Sequence, residues 1–417
     1  MGKYHVSGGR RLAGELAIQG GKNAVLPILA ASVLNSGESF LTNCPNISDT
    51  RYTVKILEEI GCKVTREDGG LLVNSNAADT FEISETLVRK MRSSIVFLGS
   101  LLGRFGAAKI SYPGGCVLGL RPIDQHLKGL RLLGAQIDDH QGFLNCKAER
   151  LVGADIALDF PSVGATQNII LAAVLADGTT TITNAAKEPE IADLARFLNS
   201  MGADVRGAGK ATIEIHGVPR LHSAEHRIMP DRIVAGTYLA AAAMTNGELV
   251  LTNVSGDNIR PVVAKLTEAG CTVTESGGGI RMTAPPRLRP ISLKTQPHPG
   301  FPTDLQPQFT AMTSIADGMS IIEETVFEAR NNHIPELRRM GADILQVNGK
   351  TSVIQGVPQL CGSNVVSHDL RGGAALILAG LAAKGKTVVD PSEHVMRGYE
   401  SIENDLAALG ADIAFVE

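Results

Sequence analysis

One stretch of the chain, residues 113–126 (PGGCVLGLRPIDQH), combines a thiol, a cation, an acid and an imidazole with unusual backbone freedom. A proline and two glycines precede Cys116, and Arg121, Asp124 and His126 follow it closely. Glycine permits backbone shapes that other residues resist, so such a loop can move or approach a ligand closely. The stretch predicts a reactive loop, although a glycine pair before a cysteine is by itself more typical of a plain turn.

The composition of the chain argues against several classes of protein. A length of 417 residues indicates two or three domains, and the net charge of −4 gives no general attraction to nucleic acid or anionic lipid. Tryptophan is absent and aromatic residues are few, which argues against stacking platforms for nucleic acid. We find no secretory signal and no apolar run of membrane-spanning length. The six cysteines form no CxxC pair, which predicts neither zinc nor disulfides and favours a cytoplasmic location.

A sixfold repeat organises the chain. An amphipathic helical pattern that ends in Gly-Ala or Gly-Cys before a short strand recurs six times, at separations of 73, 68, 68, 71 and 69 residues. Fixed-period self-similarity is typical of arrays and pseudosymmetric folds, and a glycine directly after a helix predicts a left-handed C-cap. The glycines concerned are Gly61, Gly134, Gly202, Gly270, Gly341 and Gly410.

Each repeat also carries an earlier helix that is apolar almost all round, such as NIILAAVLADG or YLAAAAMTNG, with a strand on either side. The unit therefore reads as βαβαββ, an α/β fold in which the apolar helices are central and the sheets and amphipathic helices lie outside. We predict three repeats per domain. One domain comprises residues 22–229 with the loop 113–121, and the other comprises residues 1–21 and 230–417, with the active site in the cleft between them.

Polar residues with functional character fall at two equivalent places in the repeat. The first is the start of the central helix, where free N–H groups and a partial positive charge suit phosphate and carboxylate. The second is the connection that leads to the outer helix. Cations from several repeats could then hold a small, multiply charged anion. The first set comprises Lys22, Asn23, Arg92, Ser162–Gly164, Asp231, Asp304, Asp369 and Arg371, and the second comprises Cys116, Arg121, Arg330 and Arg397.

Simpler interpretations stay open at several of these positions. Asp231 and Asp304 could be helix N-caps, and Arg330 and Arg397 could be surface ion-pair partners. The histidines show no metal-ligand spacing, so His126, His298 and His333 are expected to pack or to form hydrogen bonds. The cysteines other than Cys116 occupy apolar or strand-like stretches and are expected in the cores. They are Cys44, Cys62, Cys146, Cys271 and Cys361.

With these motifs in view, the chain resembles the UDP-N-acetylglucosamine 1-carboxyvinyltransferases, the enolpyruvyl transferase family also called MurA. The resemblance extends over essentially the whole length. It rests on GGKNAVLPILAASVL (20–34), MRSSI (91–95), PGGCVLGLRPIDQH (113–126), SVGATQN (162–168), NAAKEPEI (184–191), PHPGFPTDLQPQF (297–309), FEARNNHIPEL (327–337), HDLRGGAAL (368–376) and RGYESIE (397–403).

The resemblance implies two inside-out α/β barrel domains of three repeats each. It implies transfer of the enolpyruvyl group of phosphoenolpyruvate to the 3′-hydroxyl of UDP-N-acetylglucosamine, with release of phosphate, as the first committed step of peptidoglycan synthesis. No metal, no organic cofactor and no obligate protein partner are expected. The alternatives are a 3-phosphoshikimate 1-carboxyvinyltransferase, which shares the chemistry but not a cysteine loop of this kind, and a non-catalytic UDP-sugar sensor.

By the same resemblance, Cys116 is the general acid of a mobile loop, can form an adduct with phosphoenolpyruvate, and is the target of the epoxide antibiotic fosfomycin. Lys22, Arg121 and Arg397 hold the phosphate and carboxylate of phosphoenolpyruvate, and Asp304 holds and deprotonates the sugar hydroxyl. The remaining expected substrate-binding residues are Asn23, Arg92, Pro122, Ile123, Asp124, Gln125, Ser162, Val163, Gly164, Val326, Arg330, Asp369 and Arg371. Some family members carry lysine at the positions of Ser48 and Phe160, so diphosphate contacts through those two positions are not expected here.

Overall fold

The computed structural model of this chain, which describes residues 2–114, 119 and 122–417, is built from short strands and helices in a repeating order. Most strands span five residues, as expected for β-branched and apolar residues that alternate with polar ones between turns. In chain order they are β1 (Lys3–Ser7), β2 (Ala13–Ala17), β3 (Glu38–Thr42), β4 (Lys63–Glu67), β5 (Gly70–Asn74), β6 (Ala107–Ser111), β7 (Gln136–His140), β8 (Phe143–Lys147), β9 (Asp155–Ala157), β10 (Thr179–Thr183), β11 (Asp204–Arg206), β12 (Thr212–His216), β13 (Ala224–Arg227), β14 (Glu248–Thr252), β15 (Thr272–Ser276), β16 (Gly279–Thr283), β17 (Ser292–Lys294), β18 (Met319–Glu323), β19 (Asp343–Val347), β20 (Thr351–Gln355), β21 (Asn364–Val366), β22 (Lys386–Asp390) and β23 (Asp412–Val416).

The helices lie between these strands. Short 3₁₀ segments accompany several of them, at Ser32–Leu34, Arg92–Val96, Gly256–Ile259, Thr303–Leu305 and Ser392–Arg397. In chain order the α-helices are α1 (Lys22–Ala31), α2 (Ser48–Glu59), α3 (Glu85–Val88), α4 (Phe97–Phe105), α5 (Asp124–Leu132), α6 (Val163–Ala173), α7 (Pro189–Ser200), α8 (Arg232–Met244), α9 (Arg260–Glu268), α10 (Gln306–Thr313), α11 (Ile334–Arg339), α12 (Leu370–Ala382) and α13 (Ile402–Ala408).

The described residues divide into two compact units. The N-terminal unit comprises residues 20–114 and 122–229, and the C-terminal unit comprises residues 2–19 and 230–417 together with Gly119. Each unit has its own hydrophobic core of Leu, Ile, Val and Ala side chains. Within the described residues, no helix is both long enough and apolar enough to cross a membrane.

In the N-terminal unit, three sheets have the strand orders β13-β3-β5-β4, β6-β8-β7 and β9-β10-β12-β11. The helices α1, α4 and α6 pack together, and almost every residue of α1 and α6 is buried. The helices α2, α5 and α7 bury only one face. The expected arrangement of central apolar helices and outer amphipathic helices is therefore confirmed in this unit.

The C-terminal unit repeats this plan with sheets β2-β14-β16-β15, β17-β18-β20-β19 and β21-β22-β1-β23. The central helices are α8, α10 and α12, and α8 is buried along its whole length. The N-terminal strand β1 lies between β22 and β23 and is antiparallel to both, so that Tyr4 pairs with Val389 on one side and Phe415 on the other. The first strand of the chain therefore completes a sheet formed by its last residues.

The six repeat glycines all lie just after an outer helix, in the left-handed region. Their φ angles range from +93° at Gly341 to +99° at Gly270. Residues with a Cβ atom resist this region because the Cβ approaches the following carbonyl, so glycine lets the chain turn directly from helix to strand. The predicted left-handed C-caps are confirmed.

The second repeat differs from the predicted βαβαββ pattern. Its sheet has three described strands, and the place of the fourth is taken by a single parallel bridge between Glu82 and Lys109. Backbone bonds join Ile83 N–H to the Lys109 carbonyl and Lys109 N–H to the Phe81 carbonyl. Because α3 begins directly after Ser84, too few residues remain extended beyond this bridge to form a strand.

Candidate active site

Asp304 is the centre of a charged cluster in the C-terminal unit. It lies in the 3₁₀ turn Thr303–Leu305 that leads into α10. Its Oδ1 accepts a hydrogen bond from Arg330 at 2.7 Å, and its Oδ2 accepts one from Arg371 at 3.3 Å. The Asp304 side chain is 26% exposed, whereas Arg330 and Arg371 are only 1% and 4% exposed. Two buried guanidinium groups therefore hold one partly accessible carboxylate.

The surroundings of Arg371 explain how it stays charged while buried. Burial lowers its pKa, but the interactions with Asp304, Tyr399 and Asp231 together outweigh this, so that the net shift is upward. The guanidinium also lies 5.9 Å from the centre of the Tyr399 ring. Asp369 caps α12 by accepting hydrogen bonds from the Arg371 and Gly372 N–H groups at 2.9 and 3.0 Å. The backbone of Arg371 is therefore fixed by the helix start from which its side chain projects.

His333 lies beside this cluster and is buried. Burial lowers its pKa to about 4, and the neighbouring Arg330 charge acts in the same direction. The imidazole is therefore neutral near pH 7 and adds no further positive charge. The Phe327 ring lies 5.3 Å from the guanidinium carbon of Arg330, a cation–π arrangement that covers one face of the arginine.

Arg397 is half-buried at the end of the 3₁₀ helix Ser392–Arg397. The turn that follows it is held by Gln19, whose side-chain amide donates to the Gly398 carbonyl at 3.2 Å and accepts from Glu400 N–H at 3.0 Å. Burial is the main cause of the lowered pKa of His394, and the positive charge of Arg397 lowers it further. Arg397 therefore precedes a turn that hydrogen bonds hold in place, and the neighbouring His394 favours the neutral form of its imidazole.

In the N-terminal unit, Lys22 is the first residue of α1 and contacts a buried acid. Its Nζ lies 2.7 Å from Asp49 Oδ2, and the two side chains are 12% and 1% exposed. A lysine at a helix N-terminus is electrostatically unfavourable without a nearby anion. Asp49, in the first turn of α2, supplies that anion. Asn23 follows Lys22 in the same turn, and Arg92 begins the 3₁₀ turn that leads into α4.

Ser162 caps α6, the third central helix of this unit, and its Oγ accepts from Ala165 N–H at 3.3 Å. Gly164 follows in the first turn. A Cβ at Gly164 would lie 2.9 Å from Cε1 of His126, so the close approach of the imidazole requires glycine there. His126 Nδ1 in turn lies 2.9 Å from the side-chain nitrogen of Asn168. A buried histidine and a buried asparagine therefore support this helix start.

Several expected binding residues lie at the start of α5. Asp124 is exposed, Pro122 is exposed and Ile123 is buried. The Gln125 amide donates to Asp159 at 2.8 Å and to Asp124 at 3.0 Å. Asp159 also pairs with Lys128, and these bonds lower the pKa of Asp159.

Ser48 and Phe160, through which no diphosphate contact is expected, lie in different environments. Ser48, at the start of α2, accepts a hydrogen bond from Arg51 at 3.2 Å. Phe160 is a large apolar side chain that is 49% exposed.

The structure decides several of the open alternatives. Asp231 is an N-cap and accepts from the Ile233 and Val234 N–H groups. Asp304 is not a simple cap, because its carboxylate pairs with two arginines, and Arg330 is buried rather than a surface partner. Cys62, Cys146 and Cys271 are buried as expected. The expectation was wrong for Cys361, which is exposed in the segment before β21, and Cys44 is only partly buried. Cys116 and Arg121 lie outside the described residues.

Sequence reasoning missed the residues that hold the predicted ones. Asp49, Glu324, Tyr399 and Asn168 are all buried and were not singled out. Asn168 and Tyr399 lay within the quoted motifs SVGATQN and RGYESIE, but no role was assigned to either. Nothing in the sequence distinguishes Asp49 and Glu324 from polar neighbours such as Arg51 and Glu323. Within the described ranges, no group of three or more His, Cys, Asp or Glu side chains is arranged to hold a metal ion.

Comparisons with known proteins identify the family and the fold of this chain. The family model for EPSP synthase (3-phosphoshikimate 1-carboxyvinyltransferase) matches residues 6–406. The chain is 52% identical over 414 residues to UDP-N-acetylglucosamine 1-carboxyvinyltransferase 2 of Caldanaerobacter subterraneus subsp. tengcongensis, with 99% of each chain covered. It is 50% identical to UDP-N-acetylglucosamine 1-carboxyvinyltransferase 1 of Symbiobacterium thermophilum, over 99% of this chain and 95% of the relative.

Solved structures show the same fold. The enolpyruvyl transferase NikO from Streptomyces tendae superposes with a TM-score of 0.89 at 27% identity, over 100% of this chain and 99% of that one. The EPSP synthase of Acinetobacter baumannii has a TM-score of 0.78 at 19% identity, over the whole of both chains, which is a likeness of fold alone. The expected fold is confirmed, and the chain belongs to the enolpyruvyl transferase family, in the branch of the UDP-N-acetylglucosamine 1-carboxyvinyltransferases.

Proposed function

We propose that this protein transfers the enolpyruvyl group of phosphoenolpyruvate to the 3′-hydroxyl of UDP-N-acetylglucosamine and releases phosphate. The observation that carries the proposal is identity of about half the residues, over nearly the full length, to relatives named for this reaction. The EPSP synthases share the fold at only 19% identity, so they do not support the 3-phosphoshikimate alternative. The product would enter peptidoglycan synthesis.

The cluster around Asp304 suits the first half of the reaction. The sugar 3′-oxygen attacks C2 of phosphoenolpyruvate, and its proton passes to the Asp304 carboxylate. Arg330 and Arg371 hold that carboxylate in one orientation, and its partial exposure leaves room for a hydroxyl to approach. Because two guanidinium charges face one carboxylate charge, the cluster as a whole is positive and can also attract an anionic substrate.

In the same addition, the methylene carbon of phosphoenolpyruvate accepts a proton. In the proposal, Cys116 donates its thiol proton to that carbon, which gives a tetrahedral intermediate with phosphate, carboxylate and sugar oxygen on C2. Loss of phosphate from C2 and of a proton from the new methyl group then restores the double bond. Lys22, Arg121 and Arg397 stabilise the phosphate and carboxylate charges during these steps, which is the task for which positioned cations are most effective.

The remaining residues are proposed to bind the UDP-sugar. The N–H groups at the start of α6 suit the diphosphate, since a helix N-terminus attracts anions. With serine and phenylalanine at positions 48 and 160, this helix start must take a larger share of the diphosphate charge. The proposed set comprises Asn23, Arg92, Pro122, Ile123, Asp124, Gln125, Ser162, Val163, Gly164, Val326, Arg330, Asp369 and Arg371.

Two finer points accompany the proposal. Fosfomycin, an epoxide, would react with the Cys116 thiolate. The cytoplasm is the proposed location, because the buried Cys62, Cys146 and Cys271 are thiols rather than halves of disulfides, which fits a reducing compartment.

A phosphate-release assay tests the proposal directly. The purified protein, given phosphoenolpyruvate, should release phosphate with UDP-N-acetylglucosamine and not with shikimate 3-phosphate. Release only with the shikimate would favour the alternative acceptor. Binding of the UDP-sugar without turnover would favour a sensor.

A second experiment tests the role of the thiol. Cys116→Ser should abolish fosfomycin labelling and strongly reduce turnover, because a serine hydroxyl is a far weaker acid. Cys361→Ser is the matched control, since this exposed thiol is assigned no role. Labelling that persists in Cys116→Ser and disappears in Cys361→Ser would contradict the assignment.

A further inference from the structure

Glu324, which follows β18, is completely buried and takes hydrogen bonds from two separate turns. Its Oε1 accepts from the N–H groups of Val326 and Phe327 at 2.8 and 3.0 Å. Its Oε2 accepts from the Thr303 hydroxyl at 2.9 Å. A carboxylate with three such donors is held in one orientation, because each bond is charge-assisted and directional. One side chain therefore ties residue 303 to residues 326–327.

Both turns carry parts of the candidate site. Thr303 directly precedes Asp304 in the 3₁₀ turn, which is closed by the Leu305 N–H bond to the Pro302 carbonyl at 3.0 Å. Phe327 faces the guanidinium of Arg330, which in turn donates to Asp304 at 2.7 Å. The path from Glu324 through Thr303 and the path through Phe327 and Arg330 therefore meet at the same carboxylate.

The environment of Glu324 argues against a direct role of its carboxylate in the reaction. It has no exposed surface, so it cannot reach a substrate, and its backbone N–H is itself bonded to the Lys350 carbonyl at 2.9 Å. A buried carboxylate is costly unless its oxygens are well bonded. Bonding it to neutral donors from two site turns yields rigidity at Asp304, where a displacement of about 1 Å can cost on the order of 100-fold in rate.

We propose that Glu324, acting through the Thr303 hydroxyl, is a positioning residue that sets the Asp304 carboxylate against Arg330 and Arg371 for proton transfer. The inference deepens the proposed function and rests on it. Glu324 contacts neither substrate, so its loss should impair the chemical step more than the binding of phosphoenolpyruvate.

The sharpest test acts on Thr303, because removal of Glu324 would also release two backbone N–H groups and could unfold the turn. Thr303→Val keeps the shape of the side chain and deletes only the hydroxyl link. It should lower kcat by about tenfold to a hundredfold, with the KM for phosphoenolpyruvate changed by less than about threefold. The acidic limb of the kcat–pH profile should also move, since Asp304 would sit differently between its two arginines. Thr303→Ser, which restores the hydroxyl, should recover most of the kcat.

Thr313→Val is the matched control. Thr313 is a buried threonine of α10 in the same unit, and its hydroxyl bonds to the Phe309 carbonyl rather than to a site turn. This variant should change the melting temperature without moving kcat or its pH profile. The inference is overturned if Thr303→Val keeps wild-type kcat and pH profile, or if Thr303→Ser is as impaired as Thr303→Val. If the wild-type protein itself releases no phosphate, the proposed function is what fails.

Discussion

Replacing Asp304 with asparagine is the most direct probe of the buried charge cluster. The change is nearly isosteric, so any loss of stability comes from removal of the negative charge. Arg330 and Arg371 remain buried, and each loses its carboxylate partner, at 2.7 and 3.3 Å respectively. An uncompensated buried guanidinium is unfavourable because the protein interior solvates charge poorly.

The magnitude follows from these contacts. A hydrogen bond to a charged group contributes about 1.5–3 kcal/mol, so two of them give about 3–6 kcal/mol. Asparagine keeps one carbonyl oxygen that can still accept from Arg330, and the 26% exposure of the Asp304 side chain lets water screen part of the loss. We therefore expect Asp304→Asn to lower the free energy of unfolding by about 3 kcal/mol, which corresponds to a fall in Tm of about 6–12 °C.

Urea unfolding of the wild type and the variant, without substrates, would measure this difference. Asp317→Asn is the matched control, because Asp317 pairs with Arg287 at 3.5 Å in the same unit but both side chains are well exposed. That change should cost less than about 0.5 kcal/mol. Equal effects of Asp304→Asn and Asp317→Asn would refute the argument that burial makes the Asp304 cluster structurally important.

Three further predictions concern stability. Burial lowers the pKa of His333 from 6.5 to about 4, so the folded protein binds this proton less readily than the unfolded chain. The neutral imidazole therefore contributes about 3 kcal/mol to the free energy of unfolding above pH 6.5, and this contribution is lost as the pH falls towards 4. The His333→Gln variant should lack this pH dependence in unfolding curves measured between pH 7 and 4. Asp49→Asn should lower the free energy of unfolding by about 2–3 kcal/mol, because it removes the carboxylate that pairs with a mostly buried lysine; a loss below about 0.5 kcal/mol in urea unfolding would contradict this. Gly341→Ala should lower the free energy of unfolding by only about 1–2 kcal/mol, because φ is +93° but no atom lies near the new Cβ. Gly356→Ala should lower it clearly more, because a backbone carbonyl would lie 1.8 Å from the new Cβ. Equal shifts of the melting temperature in the two variants would refute the distinction.

The repeat pattern could be predicted because it depends on local physics. Helical apolar periodicity, left-handed glycines and short alternating strands each leave a signature within a few residues. The sequence alone therefore places Gly61, Gly134 and Gly202 at equivalent positions, and all three have φ between +95° and +98°. The weakened fourth strand at Glu82 was not predicted, because its length depends on how soon the next helix begins.

Three asparagines show a regularity that sequence reasoning missed. Asn43, Asn184 and Asn253 follow equivalent strands with φ between +54° and +59°. Their side-chain amides donate to the carbonyls of Ile228, Leu158 and Ile18 respectively, each just beyond the parallel neighbouring strand. The residue type hinted at a left-handed turn, but the partner carbonyl of Asn43 is 185 positions away and could not be inferred.

The sequence by itself determined which residue types stand at the starts of the central helices, because a helix start is a local feature with a local pattern. It placed Lys22, Ser162 and Asp304 there correctly. Only the tertiary structure decided which contacts each side chain makes. Asp304 could have capped its own helix, but Arg330 and Arg371 arrive from segments 26 and 67 residues away and turn it into the centre of a buried cluster. These long-range charge pairs depend on how the repeats pack together, and the sequence pattern within one repeat does not determine that packing.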